Sequence, residues 1–181
     1  MRLPFARSRP IRAASAAEPL HDALVAQIRQ PVFYTDFGVP DTFEGRFDLL
    51  VLHAALALRR LRDLGDDGRD LAQRTVDLMF ARFEIALRES GVSDIGIPKR
   101  MTRLAEAFKG RAAAYDAALA GHRPEALAEA VNRNVLGGAG DGRPLAAYAA
   151  TLAAAFEGGT LEDFQQGRPA FTAPDRFARP A

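Results

Sequence analysis

The segment from Phe47 to Leu61 constrains the fold of this chain more than any other. Its apolar residues recur at spacings of three, four and seven, which places them on one face of an α-helix. A second apolar ridge follows the same period through neighbouring positions. A helix that is apolar on more than one ridge has to be covered on most sides. We therefore predict the central helix of an all-α protein, with ridges formed by Phe47, Leu50, Val51, Ala54, Leu58 and Leu61 and by Leu49, Leu52 and Leu56.

Five further stretches of the chain show helical spacing. Gly or Pro residues separate neighbouring stretches, as expected at helix ends. No stretch alternates between apolar and polar residues as a half-buried strand does. Short connections between helices of this length are typical of a bundle. The predicted fold is a single irregular bundle of five to six main helices, over about 20–30, 41–65, 69–90, 98–119, 122–136 and 144–156, with a short turn at 161–166.

Length and composition predict the domain organisation. A chain of 181 residues fits one domain. Residues 1–17 are rich in Arg and lack a helical period, so we predict a flexible, disordered basic arm, with a transit peptide as the alternative. The helical domain is predicted over 18–166 and an irregular tail over 167–181. No apolar run approaches the ~20 residues that a membrane-spanning helix needs, so no transmembrane segment is predicted.

Four local patterns carry predictions about helix ends and packing. Asp41, with Glu44 three residues later, is predicted to cap the central helix. The sequence Asp66-Asp67-Gly68 is predicted to form a turn. Gly110 lies inside a helical stretch, where glycine costs about 1 kcal/mol relative to alanine, and close approach of another backbone explains it. His53 interrupts the apolar helix and is predicted to bond a carbonyl at the edge of the core.

The residues that catalysis and metal binding require are absent or scattered. The chain has no cysteine, and His21, His53 and His122 have no second ligand at metal-binding spacing on the same helix face. The glycine-rich stretch 137–142 has no following Gly-Lys-Ser/Thr and no preceding strand, so it does not match the phosphate-binding motifs. We predict no catalytic residue, no metal, no cofactor and no enzyme activity.

A group of basic residues on the helix that follows Pro98 is the clearest indication of a binding surface. They could bind nucleic acid, a ribosome surface, an acidic protein or anionic lipid headgroups, or they could form a solvated face without a partner. The net charge of +1 gives no overall field that attracts nucleic acid, so specific DNA binding is not predicted. The basic residues are Lys99, Arg100, Arg103, Lys109 and Arg111.

The aromatic connection before the central helix has two interpretations. Phe33, Tyr34 and Phe37 lie close together and are followed by Gly38 and Pro40. They either line an apolar groove that accepts a helix of another protein, or plug the core under the central helix.

Three stretches, taken by their order and spacing, carry a family resemblance. They are RQPVFY, VPDT, GRFDLL and LH over 29–53, LRESGVSD and KRM over 87–101, and AFKGRA over 107–112 with Tyr115. A fainter echo continues at 133–135 and 145–148. Together they cover roughly residues 20–156 and resemble the ubiquinol–cytochrome c chaperone family. Ser90, Ser93 and Lys109 depart from the family pattern.

The resemblance implies an all-helical, non-enzymatic assembly factor. Mitochondrial members of the family bind newly made cytochrome b near the ribosome exit, before it enters respiratory complex III. The implied partner is therefore cytochrome b or another complex III subunit, with the ribosome or an anionic membrane surface as further contacts. The Ala- and Arg-rich composition looks like that of an alphaproteobacterial member. The implied location is cytoplasmic with peripheral contact at the inner membrane, which corresponds to the matrix side in eukaryotic relatives.

The predicted partner-binding site combines the aromatic connection, the start of the central helix and the basic helix. An alternative hypothesis is a peripheral membrane or lipid-binding helical module, which rests on the basic arm and the basic helix. A third hypothesis is a helical enzyme, which would need a deep pocket with convergent polar groups. The predicted site residues are Arg29, Phe33, Tyr34, Asp41, Arg46, Lys99, Arg100, Arg103, Lys109 and Arg111.

Overall fold

A computed structural model describes residues 17–178 of the chain. Within this range it contains helices and turns and no strand, so the predicted all-α fold is confirmed. Six of the helices are long enough to form the bundle. In chain order the helices are α1 (Glu18–Ile28), α2 (Val32–Thr35), α3 (Phe43–Asp63), α4 (Gly65–Glu89), α5 (Ile97–Ala120), α6 (Pro124–Val135), α7 (Gly142–Glu157) and α8 (Leu161–Gln165), followed by a 3-10 turn (Pro174–Arg176).

Helix α3 is the centre of the bundle, as its two apolar ridges predict. Every residue from Leu49 to Leu58 is buried. The helix packs against α1, α4, α5, α6 and α7, so neighbours cover its middle on all sides. Burial of a full leucine side chain contributes roughly 2 kcal/mol, which makes this helix a major source of the stability of the fold. None of the described helices is long and apolar enough to cross a membrane.

The cap of α3 differs from the prediction. Thr42, not Asp41, is the N-cap residue, and its hydroxyl accepts a hydrogen bond from the Gly45 amide at 3.1 Å. The Asp41 carboxylate binds Arg46 instead, at 2.6 Å. A side chain at Gly45 would place its Cβ 2.0 Å from the Pro40 carbonyl oxygen, so the entry into α3 requires glycine. The prediction of an Asp41 capping box was wrong because the ion pair with Arg46 uses that carboxylate.

The predicted turn at Asp66-Asp67-Gly68 is also wrong, because these residues form the first turn of α4. Gly65 makes the reversal after α3 with φ of +79°, a conformation that favours glycine. Two acidic residues at the helix start then suit the positive end of the helix dipole. Gly68 allows α4 to pack closely on α3, because its Cβ would lie 2.2 Å from the Leu61 carbonyl oxygen.

Close backbone packing occurs at Gly142 and not at Gly110. Gly110 is exposed on α5, and a Cβ added there would meet no described atom within 4 Å. The predicted close approach of another backbone is therefore not found among the described residues. A Cβ on Gly142 would lie 2.1 Å from the Ala128 carbonyl oxygen, because α7 begins directly against α6.

Residues 167–178 lie along the bundle. Phe171 packs edge-on against Phe156 with ring centroids 5.6 Å apart, and Phe177 packs against Tyr148 at 6.0 Å. Of the basic arm predicted over residues 1–17, all but Ala17 lies outside the described residues, and the domain boundaries remain predictions.

Candidate protein-binding surface

Helix α5 carries the five basic residues on different sides. Pro98 lies in its first turn, and Met101, Ala105, Phe108 and Tyr115 form its buried face. Residues 100 and 111 are eleven positions apart, about three turns, and therefore share a face. Residues 99 and 103 share another face one turn apart, whereas 109 lies about 120° further round the helix.

Two of these basic residues bind acidic residues of α3. Arg100 Nη2 lies 3.8 Å from Glu44 Oε1, and Arg111 Nη2 lies 3.0 Å from Asp48 Oδ1. The partners occur in the same order along both helices, so α3 and α5 run in the same direction. These contacts make Arg100 and Arg111 part of the packing between the two helices.

The other three basic residues of α5 are available to a partner. Lys99, Arg103 and Lys109 are exposed. Across residues 17–178, none of them forms an ion pair. Because Lys99 and Arg103 lie on one face, the helix brings two unpaired positive charges together and leaves Lys109 apart. We name Lys99 and Arg103 the α5 basic pair.

The Asp48–Arg111 pair is partly buried between α3 and α5. The Asp48 side chain is 13% exposed, and the Arg111 guanidinium lies 5.6 Å from the centroid of the Phe47 ring. Burial raises the pKa of Asp48 to about 6, although the charge of Arg111 lowers it in part. Asp48 Oδ1 and Arg111 Nε, both buried, have no well-aligned hydrogen bond to any described atom. The pair is therefore incompletely satisfied within the described part of the chain.

A second group of predicted site residues lies where α2 meets α3. The Tyr34 hydroxyl donates to the Ile28 carbonyl at 2.7 Å, and the Arg46 guanidinium lies 5.6 Å from the Tyr34 ring centroid. The hydrogen bond from Arg46 lowers the pKa of Asp41. Arg29, the C-cap residue of α1, is exposed. Burial raises the pKa of Tyr34, and the nearby positive charge of Arg29 lowers it in part. These four side chains form a charged aromatic surface that a partner can reach.

Phe33 does not lie on that surface. It is fully buried and packs edge-on against His53 at 5.3 Å and against Tyr148 at 5.4 Å between ring centroids. Phe37 stacks on Phe33 at 5.8 Å. Of the two interpretations of the aromatic connection, this packing agrees with the core plug, and a partner cannot touch Phe33 in this conformation.

Two residues that the sequence analysis did not single out form a buried polar chain with His53. The Gln27 amide donates to the Tyr148 hydroxyl at 3.0 Å, and that hydroxyl lies 2.8 Å from His53 Nε2. His53 Nδ1 lies 2.8 Å from the Leu49 carbonyl, which can only accept, so Nδ1 carries the proton. Burial lowers the pKa of His53 to about 4, which keeps the ring neutral. The predicted carbonyl bond is confirmed, but His53 lies inside the core and not at its edge.

Nothing in residues 17–178 gathers three or more metal-binding side chains. His21 lies beside Asp22 at 3.2 Å, His53 is in the core, and His122 is in the turn between α5 and α6. Cavities among the described residues open at the surface beside α7, and alanine is the commonest residue in the lining of the two larger apolar ones. The geometry described so far therefore favours binding through the surface.

Comparisons with known proteins found a family and a solved structure that are similar to this chain. A family model described as "Ubiquinol-cytochrome C chaperone" matches residues 35–171. The crystal structure of the Cbp3 homolog from Brucella abortus is similar to this chain, with a TM-score of 0.81 and 34% sequence identity. The match covers 91% of this chain and 93% of that chain. No curated protein matches the chain.

Proposed function

Since this chain belongs to the ubiquinol–cytochrome c chaperone family, we propose that it binds cytochrome b while respiratory complex III is assembled. The family itself supports a role as an assembly chaperone for complex III. The proposed role is binding, without a catalytic step. The location that follows is the cytoplasm, with peripheral contact at the membrane that receives cytochrome b.

The α5 basic pair carries the proposal. Lys99 and Arg103 are exposed, share a face and have no acidic partner among the described residues. Like charges one turn apart repel each other and destabilise a helix by a few tenths of a kcal/mol, so the pair has a small cost in the free protein. An acidic segment of cytochrome b would remove this cost and gain two charge-assisted contacts.

The surface around Tyr34 and Arg46 supplies the second part of the proposed contact. Arg46 and Asp41 are both more than half exposed, at 54% and 56% of their side chains. Arg29 adds a further exposed cation beside Tyr34. Tyrosine and arginine are enriched in the parts of interfaces that contribute most to affinity.

A charge-reversal experiment tests the proposal. The gene is deleted and complemented with the wild type, with Lys99→Glu/Arg103→Glu, or with the control Arg168→Glu/Arg176→Glu, which reverses two exposed charges on the C-terminal segment. Haem spectra of the membranes report complex III, and tagged proteins report cytochrome b by co-purification in mild detergent. We expect the Lys99→Glu/Arg103→Glu variant to lose both complex III and co-purified cytochrome b, and the control variant to retain both. Normal complex III after deletion of the gene would contradict the proposal.

A peripheral membrane role is the second candidate, and one observation favours it. Ile95 is 93% exposed in the connection between α4 and α5, four residues before Lys99. Ile85, on the last part of α4, is 48% exposed. An apolar side chain beside basic residues suits an anionic lipid surface, where each cation contributes about 1 kcal/mol. Flotation with anionic vesicles tests this role, since Ile95→Ser would weaken membrane binding without affecting capture of cytochrome b.

A further inference from the structure

An apolar groove runs along α7 on a part of the surface that the proposed function does not use. It consists of two adjoining cavities of about 430 and 280 Å³, which share Pro124, Leu127 and Ala150. Alanine residues of α5, α6 and α7 form much of the lining. Because alanine side chains are short, a helix that enters the groove can approach the backbone of α7 closely.

The exposed ridge of α7 borders this groove. Its residues follow spacings of four, three, four and three, so they lie on one face of the helix. All of them are exposed, and all line one or both cavities. In order the ridge comprises Arg143, Ala147, Ala150, Ala154 and Glu157.

The charges of this ridge are arranged symmetrically about Ala150. Arg143 lies seven positions before Ala150 and Glu157 lies seven positions after it, each about 10 Å away along the helix. Glu157 forms no ion pair within residues 17–178. The Arg143 side chain is 79% exposed, although its guanidinium forms an ion pair with both carboxylate oxygens of Asp141, at 2.9 and 3.0 Å. An antiparallel copy of the same ridge would place opposite charges at both ends and alanine against alanine between them.

We infer that the groove binds the α7 ridge of a second copy of this chain. The two α7 helices run antiparallel about a twofold axis that passes near Ala150. Arg143 faces Glu157 of the second copy, and the reverse pair forms at the other end. Closed twofold symmetry is the commonest arrangement of soluble oligomers, and it buries the same patch on both subunits. This inference does not depend on cytochrome b binding, because it concerns α7 and not the α5 basic pair.

The test is the molar mass of the full chain in solution. Sedimentation equilibrium over a series of concentrations should give twice the monomer mass of 19.6 kDa at the upper end. Arg143→Glu and Glu157→Arg each place like charges at both ends and should weaken the dimer by about tenfold or more. The double variant Arg143→Glu/Glu157→Arg restores the opposite charges and should restore the dimer.

Substitution at the axis provides an independent measurement. Ala150→Glu brings two carboxylates together and should abolish the dimer, whereas Ala113→Glu, at an exposed position of α5, should not change it. Circular dichroism confirms that each variant is folded. A chain that stays monomeric at all concentrations would overturn the inference, as would a dimer that Ala150→Glu leaves intact. Binding of an apolar helical peptide to a monomeric wild type through this groove would overturn it as well.

Discussion

The Tyr148 hydroxyl lies 2.8 Å from His53 Nε2, the ring nitrogen that the Leu49 contact leaves without a proton. Gln27 donates to the same hydroxyl, so the hydroxyl hydrogen is available to His53. His53 then donates through Nδ1 to the Leu49 carbonyl. The hydrogen bonds therefore run in one direction from α1 through α7 into α3.

Removing the Tyr148 hydroxyl should destabilise the protein. Tyr148→Phe leaves His53 Nε2 without its hydrogen-bond donor and Gln27 with only the Thr172 carbonyl as acceptor for its amide group. We expect a loss of about 1–3 kcal/mol in the free energy of unfolding, measured by urea denaturation. Tyr115→Phe is the matched control, because Tyr115 is equally buried and its hydroxyl lies near Asn134 without a well-aligned hydrogen bond. Equal losses in the two variants would contradict this role for the Tyr148 contact.

His53 should make stability depend on pH. Its pKa is about 4 in the folded protein and 6.5 as a free side chain, so between these values the unfolded chain binds more protons. The free energy of unfolding should therefore fall as pH is lowered from about 6.5 to 4, by about 3 kcal/mol at most. His53→Gln should remove this contribution, which urea titrations at several pH values would show. An unchanged slope in His53→Gln would exclude His53 as its source.

Asp48 should contribute in the opposite direction over an overlapping range. Its pKa is raised from 3.8 to about 6, so the folded protein binds more protons between these values. The free energy of unfolding should fall as pH rises through this window, by about 1 kcal/mol after solvent screening. Asp48→Asn should abolish this decrease. The remaining pH dependence of the free energy of unfolding should then be the one that His53 contributes. The comparison of the two single variants with the double variant tests whether the two contributions cancel in the wild type.

Gly110→Ala should stabilise the free protein by about 1 kcal/mol, because α5 is helical there and no described atom lies within 4 Å of the added methyl group. Gly142→Ala is the control with the opposite sign, since its methyl group would meet the Ala128 carbonyl at 2.1 Å. Thermal denaturation of the two variants measures both effects. A destabilised Gly110→Ala protein would show that the glycine serves a structural purpose within this chain.

The sequence predicts the central helix well because its evidence is local. The two ridges from Phe47 to Leu61 follow a single period, and burial of the whole segment is the direct result. Which of two adjacent residues caps a helix is harder to predict. Asp41 and Thr42 are both suitable caps, and only the position of Arg46 in the folded chain decides between them.

Contacts between distant residues explain most of what the sequence did not predict. His53 and Tyr148 are 95 positions apart, and nothing in either segment indicates the other. Phe33 belongs to a short aromatic connection that could equally have lined a surface groove. It is buried because His53 of α3 and Tyr148 of α7 pack against it. The five basic residues of α5 form one group in the sequence. In the structure they divide in two, because Glu44 and Asp48 of α3 bind only Arg100 and Arg111.

The polar chain from Gln27 to Leu49 also determines when the protein can fold during synthesis. Its members are separated by as many as 121 positions, and the Thr172 carbonyl extends it by a further 24. A growing polypeptide that ends before α7 contains a buried histidine and glutamine with no tyrosine to satisfy them. Such long-range contacts slow folding, because the entropic cost of closing large loops comes before the gain from the contacts. The protein should therefore acquire its binding surface only after nearly all of its chain has left the ribosome.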